Sequence, residues 1–314
     1  MSIDSSNASS TTSASSATVP SATRPGDLPD DHPPRARIAE AVHAVRDTTP
    51  LAQSFTNFVT INLVANAQLA VGGTAAMSYL PDDVLDIAAI CGATYINVGT
   101  LLPFYKDALA DIARGLHDQG KPWVLDPVAA GLGATRTAIL ESFRDVPPTV
   151  VRGNASEIIV LDRMWGLADA DAADADETTR PAGVESADEV DSAMPAARRI
   201  ARHLATHSPN GQGAVAVSGA VDFVTDGTND YRLPGGSALM TKITGAGCSL
   251  GGVVGTYLAV ADPLTAAMAA SLHFNRAGEI AEAAAHGPGS FQTEFLDALW
   301  NVTAEQIAES AILQ

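Results

Sequence analysis

Cys248 closes the run "TKITGAGC", in which Gly245, Ala246 and Gly247 lead into the apolar stretch "SLGGVVGTYLAVA". Glycine-rich turns that open a helix let backbone N–H groups converge on an anion, and the helix's positive end adds to that field. The same field predicts a lowered pKa for a thiol placed in it. Cys248 then serves as a base or as a polar group that orients a substrate hydroxyl. The alternative is a small cysteine packed beneath the turn.

Other segments carry complementary parts. In "VRGNASEI" (151–158), Arg152 offers a guanidinium suited to phosphate oxygens. Asn154 and Glu157 stand three apart, where a carboxylate can hold Mg²⁺ through water. The same spacing makes Asn154 an N-cap and Glu157 the partner of a capping box. "LDPVAAGLGATR" (125–136) puts Asp126 at a strand end, to arrange metal-bound water or phosphate, or simply to form an Asp-Pro turn. "AVSGAVDFVTDG" (216–227) presents Ser218 and Gly219 to a nucleotide phosphate, or forms an ordinary hairpin. In "QSFTNFVTINLVANAQLAVGGTAAMSY" (53–79), Asn57, Thr60, Asn62 and Asn66 alternate with apolar residues, which suits a small heteroaromatic substrate. The same residues also read as a plain helix capped by Thr56 or Asn57 and stopped at Gly72-Gly73, with Met77 as core filler beyond it. Together an acid, an arginine, a hydroxyl and an anion cradle are the parts of phosphoryl transfer, which works by positioning and charge neutralisation. No G-x-x-x-x-G-K-[ST] run occurs, so the chain is not a P-loop enzyme.

These parts must be held by a framework. Short apolar runs ending in polar tails, "YINVGTL", "PWVLDPV", "TVVRGNASE" and "AVAVSGAVDFVTDG", read as buried strands. Amphipathic segments such as 104–120 separate them. Strand, crossover helix and strand predict an α/β fold with a mostly parallel sheet. Ligands bind such sheets at the carboxyl ends of the strands, where the polar tails fall. Residues 1–35 are polar, of low complexity, and predicted to be a disordered tail. A single domain is expected over 36–314, with an acidic surface insertion at about 166–195.

Eighteen basic residues oppose 36 acidic ones, and only Lys106, Lys121 and Lys242 are lysines. The net charge of −18 argues against nucleic acid or anionic membranes as partners. It suits a halophilic chain working where salt screens self-repulsion. The longest uncharged apolar run, Leu250–Ala261, is too short to span a bilayer. Cys91 and Cys248 form neither a zinc site nor a disulfide framework. The N-terminus lacks a secretory pattern, so a cytoplasmic protein is expected.

Six ordered motifs, from "QSFTNFVTINLVANAQLAVGGTAAMSY" through "INVGTL", "VLDPVAAG", "VRGNASEI" and "VAVSGAVDFVTDG" to "TKITGAGC", resemble the hydroxyethylthiazole kinase family from about Ile38 to the C-terminus. The resemblance implies a ribokinase-like three-layer α/β/α fold. It implies ATP-dependent phosphorylation of 4-methyl-5-(2-hydroxyethyl)thiazole in thiamine diphosphate supply, with Mg²⁺. It also implies a homotrimer with sites between subunits. Met77, Asn57 and Gly245 would contact the thiazole; Arg152, Ser218 and Asn154 would contact ATP; Asp126 and Glu157 would organise the metal. Gly245, Gly247 and Cys248 would serve catalysis, with Cys248 where the wider superfamily carries aspartate. Ser218 and Ala246 replace the threonines usual in the family, and neither change removes the chemistry. A related hydroxymethylpyrimidine kinase would want Asp at 248. A non-catalytic nucleotide-binding protein on the same fold is the remaining alternative.

Overall fold

Why the strands are apolar on both faces is evident from what covers them. The computed structural model describes residues 26–168 and 187–314. Its elements run α1 (Pro33–Thr48), β1 (Leu51–Phe55), α2 (Ile61–Ala70), β2 (Thr74–Met77), α3 (Pro81–Ile90) and β3 (Ala93–Asn97). Next come α4 (Tyr105–Asp118), β4 (Trp123–Asp126), α5 (Ala134–Ser142), β5 (Val150–Asn154) and α6 (Ala155–Met164). After α7 (Ala187–His207) follow β6 (Ala214–Ser218), β7 (Val221–Thr225) and β8 (Asp230–Pro234). Helices α8 (Ala246–Leu258), α9 (Pro263–Ala284), α10 (Pro288–Asn301) and α11 (Ala304–Ala308) complete the chain.

The strands form one eight-stranded sheet in the order β2-β1-β3-β4-β5-β6-β7-β8. Strands β1 to β6 pair in parallel, while β7 and β8 add an antiparallel edge. Alternate residues serve opposite layers. Ala93, Tyr95, Val124, Val150, Ala214 and Ala216 join the core with α1, α2 and α8 to α11. Ile96, Trp123, Leu125, Val151, Val215 and Val217 join the core with α3 to α7. Both faces are therefore covered, as parallel sheets require, and the α/β/α expectation holds.

Two local expectations change, and one alternative is settled. The stretch 53–79 is strand, helix and strand: the expected helix stops before Gly72-Gly73 but starts only at Ile61, and Gln53 and Ser54 belong to β1. Gln53 donates to Val84 O and Thr94 Oγ1, and Ser54 to Gln68 Oε1. Asn57 consequently lies in the loop before α2. The run 214–227 takes the hairpin alternative, as β6 and β7. The polar tail ends before residue 35: Leu28 is buried, and the Arg35 guanidinium pairs with Asp27 at 2.8 Å while donating to the carbonyls of Leu28, Pro29, Ala308 and Ser310. Positions 1–25 lie outside the described residues. So do 169–186 of the expected insertion, whose last part, 187–195, forms the start of α7. No described helix is long and apolar enough to cross a membrane.

Candidate active site

The sheet brings the polar strand ends to one edge. Asn97 and Asp126 are the last residues of β3 and β4 and are register partners; Asn154 and Ser218 end β5 and β6 and are also partners. Helix α8 starts across them. Its N-cap, Gly245, has φ +94°, and a Cβ there would also fall 2.8 Å from the Thr60 methyl. Both facts demand glycine. The N–H groups of Ala246, Gly247 and Cys248, at the first turn, have no intrahelical acceptor, as an anion cradle requires. A Cβ on Gly251 would lie 2.3 Å from the Tyr95 ring, so this glycine lets α8 approach β3 closely.

Asn97 is the hub of the polar network. Its Nδ2 donates to Tyr95 Oη (2.8 Å), Asp126 Oδ2 (3.2 Å) and Cys248 Sγ (3.3 Å). Its Oδ1 accepts from Gly99 N (2.9 Å) and Asn57 Nδ2 (3.1 Å), and Asn57 Nδ2 lies 3.5 Å from Cys248 Sγ. Tyr95 Oη donates to Asp126 Oδ2 at 3.0 Å. Arg152 spans the next two strands, with Nη1 3.4 Å from Asp126 Oδ2 and Nη2 2.8 Å from Ser218 Oγ. A Cβ on Gly247 would meet that guanidinium at 2.8 Å, so α8 and Arg152 are in close contact.

Charges follow from this enclosure. Asp126 is fully buried, and loss of solvent raises its pKa against the opposing pull of Arg152, Tyr95 and Asn97. Burial also raises Glu157 to about 7, with Asp126 adding to the effect. Burial would lower Arg152, but Asp126 and Glu157 beside it hold it raised and charged. Cys248 departs from expectation. Its thiol pKa is raised, first by burial and then by Asp126, against hydrogen bonds from Thr60 and Asn57. The helix-end field is outweighed by a buried carboxylate and lost solvation.

Glu157 is chiefly tied to backbone: Oε1 accepts from Ala129 N and Oε2 from Asn154 N, at 3.0 and 2.9 Å. Asn154 Oδ1 in turn accepts from Glu157 N, so the capping box is present. Ala129 takes the left-handed φ of 58° that this contact secures. Asp126 Oδ1, by contrast, is buried without a hydrogen-bond partner. That free anionic oxygen fits a divalent cation or its water. Among the described residues no group of three or more potential metal ligands gathers.

Cys248, Gly245, Gly247, Asn57, Asp126, Arg152 and Ser218 are thus brought together, with Asn154 and Glu157 alongside. Met77 stands apart, half-buried at the end of edge strand β2 and packed against the core. Neither Tyr95 nor Asn97 was singled out from the sequence, whereas Thr60 was, beside Asn57. The asparagine closing "YIN" ahead of Val98-Gly99 was the available signal for Asn97, since a polar residue at a buried strand end calls for a partner.

The model of the "Hydroxyethylthiazole kinase family" matches residues 42–305. A Bifidobacterium adolescentis protein named hydroxyethylthiazole kinase is 74% identical over 280 residues, covering 89% of this chain and 95% of the relative. A solved hydroxyethylthiazole kinase protein from Pyrococcus horikoshii OT3 is 30% identical with a TM-score of 0.75, covering 88% of this chain and 97% of that one. A ribokinase-like superfamily protein from Enterococcus faecalis shares the fold alone, at 10% identity and TM-score 0.50, covering 90% of this chain and 92% of that one.

Proposed function

Because this chain belongs to the hydroxyethylthiazole kinase family, we propose that it transfers the γ-phosphoryl group of ATP to the hydroxyl of 4-methyl-5-(2-hydroxyethyl)thiazole. The product is the thiazole monophosphate used in thiamine diphosphate supply. The observation that carries the reading is the α8 cradle, with the Cys248 sulfur held beside two amide donors and next to the Arg152–Asp126 pair.

The acceptor's hydroxyl oxygen bonds to the γ-phosphorus as the bridging P–O bond to the β-phosphate breaks, and ADP leaves with that electron pair. The free N–H groups at Ala246–Cys248 stabilise the transferring oxygens, which are fixed in place before reaction. Arg152 and Ser218 hold ATP oxygens, with Asn154 at the same edge. Asp126 and Glu157 would hold Mg²⁺, which neutralises part of the phosphate charge. Cys248 keeps its proton near neutral pH, in line with its raised pKa, and it orients the hydroxyl rather than deprotonating it. In a loose transition state the hydroxyl's proton leaves late, so a strong base is not required.

Met77 reaches the thiazole from a neighbouring copy in a homotrimer. Its place on an edge strand, apart from the polar network, supports that arrangement. The exposed apolar residues Phe58, Val59 and Leu80 on the loops beside β1 and β2 support it as well. The charge of −18 supports a cytoplasmic chain suited to high salt. Activity that declines steadily towards molar KCl would remove the salt proposal.

The test is ADP release with MgATP in the presence of the thiazole alcohol, hydroxymethylpyrimidine or neither. Thiazole-dependent release, with the monophosphate seen by mass, is expected. Release that depends on the pyrimidine alone would overturn the substrate assignment, and no release from folded, ATP-binding protein would revive the non-catalytic reading.

A further inference from the structure

Asn97 is 2% exposed and makes hydrogen bonds along both edges of its amide. One edge cannot be reversed. The backbone N–H of Gly99 can only donate, and it holds Oδ1 at 2.9 Å. Nδ2 must therefore face Tyr95, Asp126 and Cys248. That orientation dictates the next one. Asn57 meets Asn97 Oδ1 at 3.1 Å, and only its Nδ2 can do so, because two amide oxygens at that distance repel without a proton between them. Asn57 Oδ1 is then turned to its other edge, where it has no protein hydrogen bond among the described residues. Asn57 is itself only 6% exposed. That oxygen stays open to solvent, unlike the buried Asp126 Oδ1, so an incoming O–H can take the place of water there.

We propose that Asn97 is a positioning residue for phosphoryl transfer: it sets which way the Asn57 amide faces and so turns the Asn57 carbonyl oxygen to the acceptor's hydroxyl. The inference rests on the reading that Asn57 and Cys248 face that hydroxyl. It assigns work to a residue that need not touch either substrate, through a chain of orientation running from Gly99 N–H to Asn97 to Asn57. Tyr95 and Asp126 lock the far edge of the same amide, so the acceptor side and the phosphate side share one fixed group.

Gly99 offers a way to disturb this chain from outside the core. It is half-buried, and an added Cβ would lie 2.8 Å from Asn97 Oδ1 and 3.0 Å from Asn57 Nδ2. Gly99→Ala therefore wedges the two amides apart and leaves both in place, whereas Asn97→Leu removes the orienting group. Each is measured alone and combined with Asn57→Ala, by steady-state kinetics with the thiazole alcohol and MgATP, with a thermal melt to confirm folding. Each single variant is expected to lower kcat/KM for the alcohol roughly tenfold or more, with KM for MgATP within about twofold of wild type. In the Asn57→Ala background the further loss should be below about threefold, because the oriented group is already gone. An equal loss in both backgrounds would make Asn97 merely structural and overturn the proposal. So would unchanged kinetics in folded Gly99→Ala. A wild-type chain inactive on the thiazole alcohol overturns the functional reading and this inference together; with wild type active, only the inference is at stake.

Discussion

Gly247→Ala puts the contact between α8 and Arg152 to the test. The new methyl carbon would sit 2.8 Å from Nη1, 3.1 Å from Nη2 and 3.3 Å from Cζ. Ordinary contact begins near ~3.5 Å, so Nη1 must retreat by about 0.7 Å. It has little slack. Nη2 is engaged with Ser218 at 2.8 Å, and Nη1 already reaches Asp126 at the long distance of 3.4 Å. A hydrogen bond to a charged group contributes about 1.5–3 kcal/mol, which corresponds to roughly 10- to 150-fold in kcat/KM. Stability should move the other way or hardly at all, since alanine exceeds glycine in helix propensity by up to ~1 kcal/mol. A coupled ADP assay with both substrates varied, beside a thermal melt, separates the two effects. The expected result is a folded protein with unchanged or slightly raised Tm and kcat/KM for ATP down at least about tenfold. Activity within about threefold of wild type would show that Arg152 can move without cost, and the tight-contact argument would be wrong.

Three further outcomes follow from the same geometry. Cys248 should alkylate with iodoacetamide slowly at neutral pH, with a midpoint above the ordinary thiol value of about 8.5, while buried Cys91 stays unmodified; a midpoint below that value would restore dominance to the helix end. Glu157, raised to about 7 in the fold, contributes stability that is fully present below its unfolded pKa and is lost as pH rises through 7. Glu157→Gln, which can accept from only one of the two backbone N–H groups, should be less stable than wild type at acidic pH. The gap should narrow by about 2 kcal/mol on crossing that window, after allowance for solvent screening; denaturant melts on both sides of the window decide it. Gly251→Ala drives a methyl carbon to 2.3 Å from a fully buried tyrosine ring and should cost roughly 1–3 kcal/mol or more. A melt unchanged from wild type would mean that α8 shifts freely over β3.

Much of the framework was legible because it depends on neighbours in the chain. The runs "YIN", "WVLD", "VVRGN" and "AVAVS" show apolar strands ending in polar residues, and crossover helices between them leave a parallel sheet as the economical arrangement. The glycines of "TGAGC" announced a helix start that could take an anion. Less legible was the stretch 53–79, where the polar Gln53 and Ser54 give no sign of a buried strand. Gln53 Nε2 and Ser54 Oγ find their partners in α3, β3 and α2, which no local pattern brings near.

By itself, then, the sequence determined the layered α/β architecture, the ordered strand-end residues and the family. These rest on periodicity, turn chemistry and motif order, all properties of adjacent residues. Only the tertiary structure decided how those residues act on one another. Cys248 meets Asn57 across 191 positions and Asn97 across 151, and the direction of its pKa depends on Asp126 and on burial by separate elements. A thiol at a helix start is acidic when water and the helix end are its surroundings. Enclosed beside a buried carboxylate it keeps its proton, because charge interactions strengthen as solvent leaves.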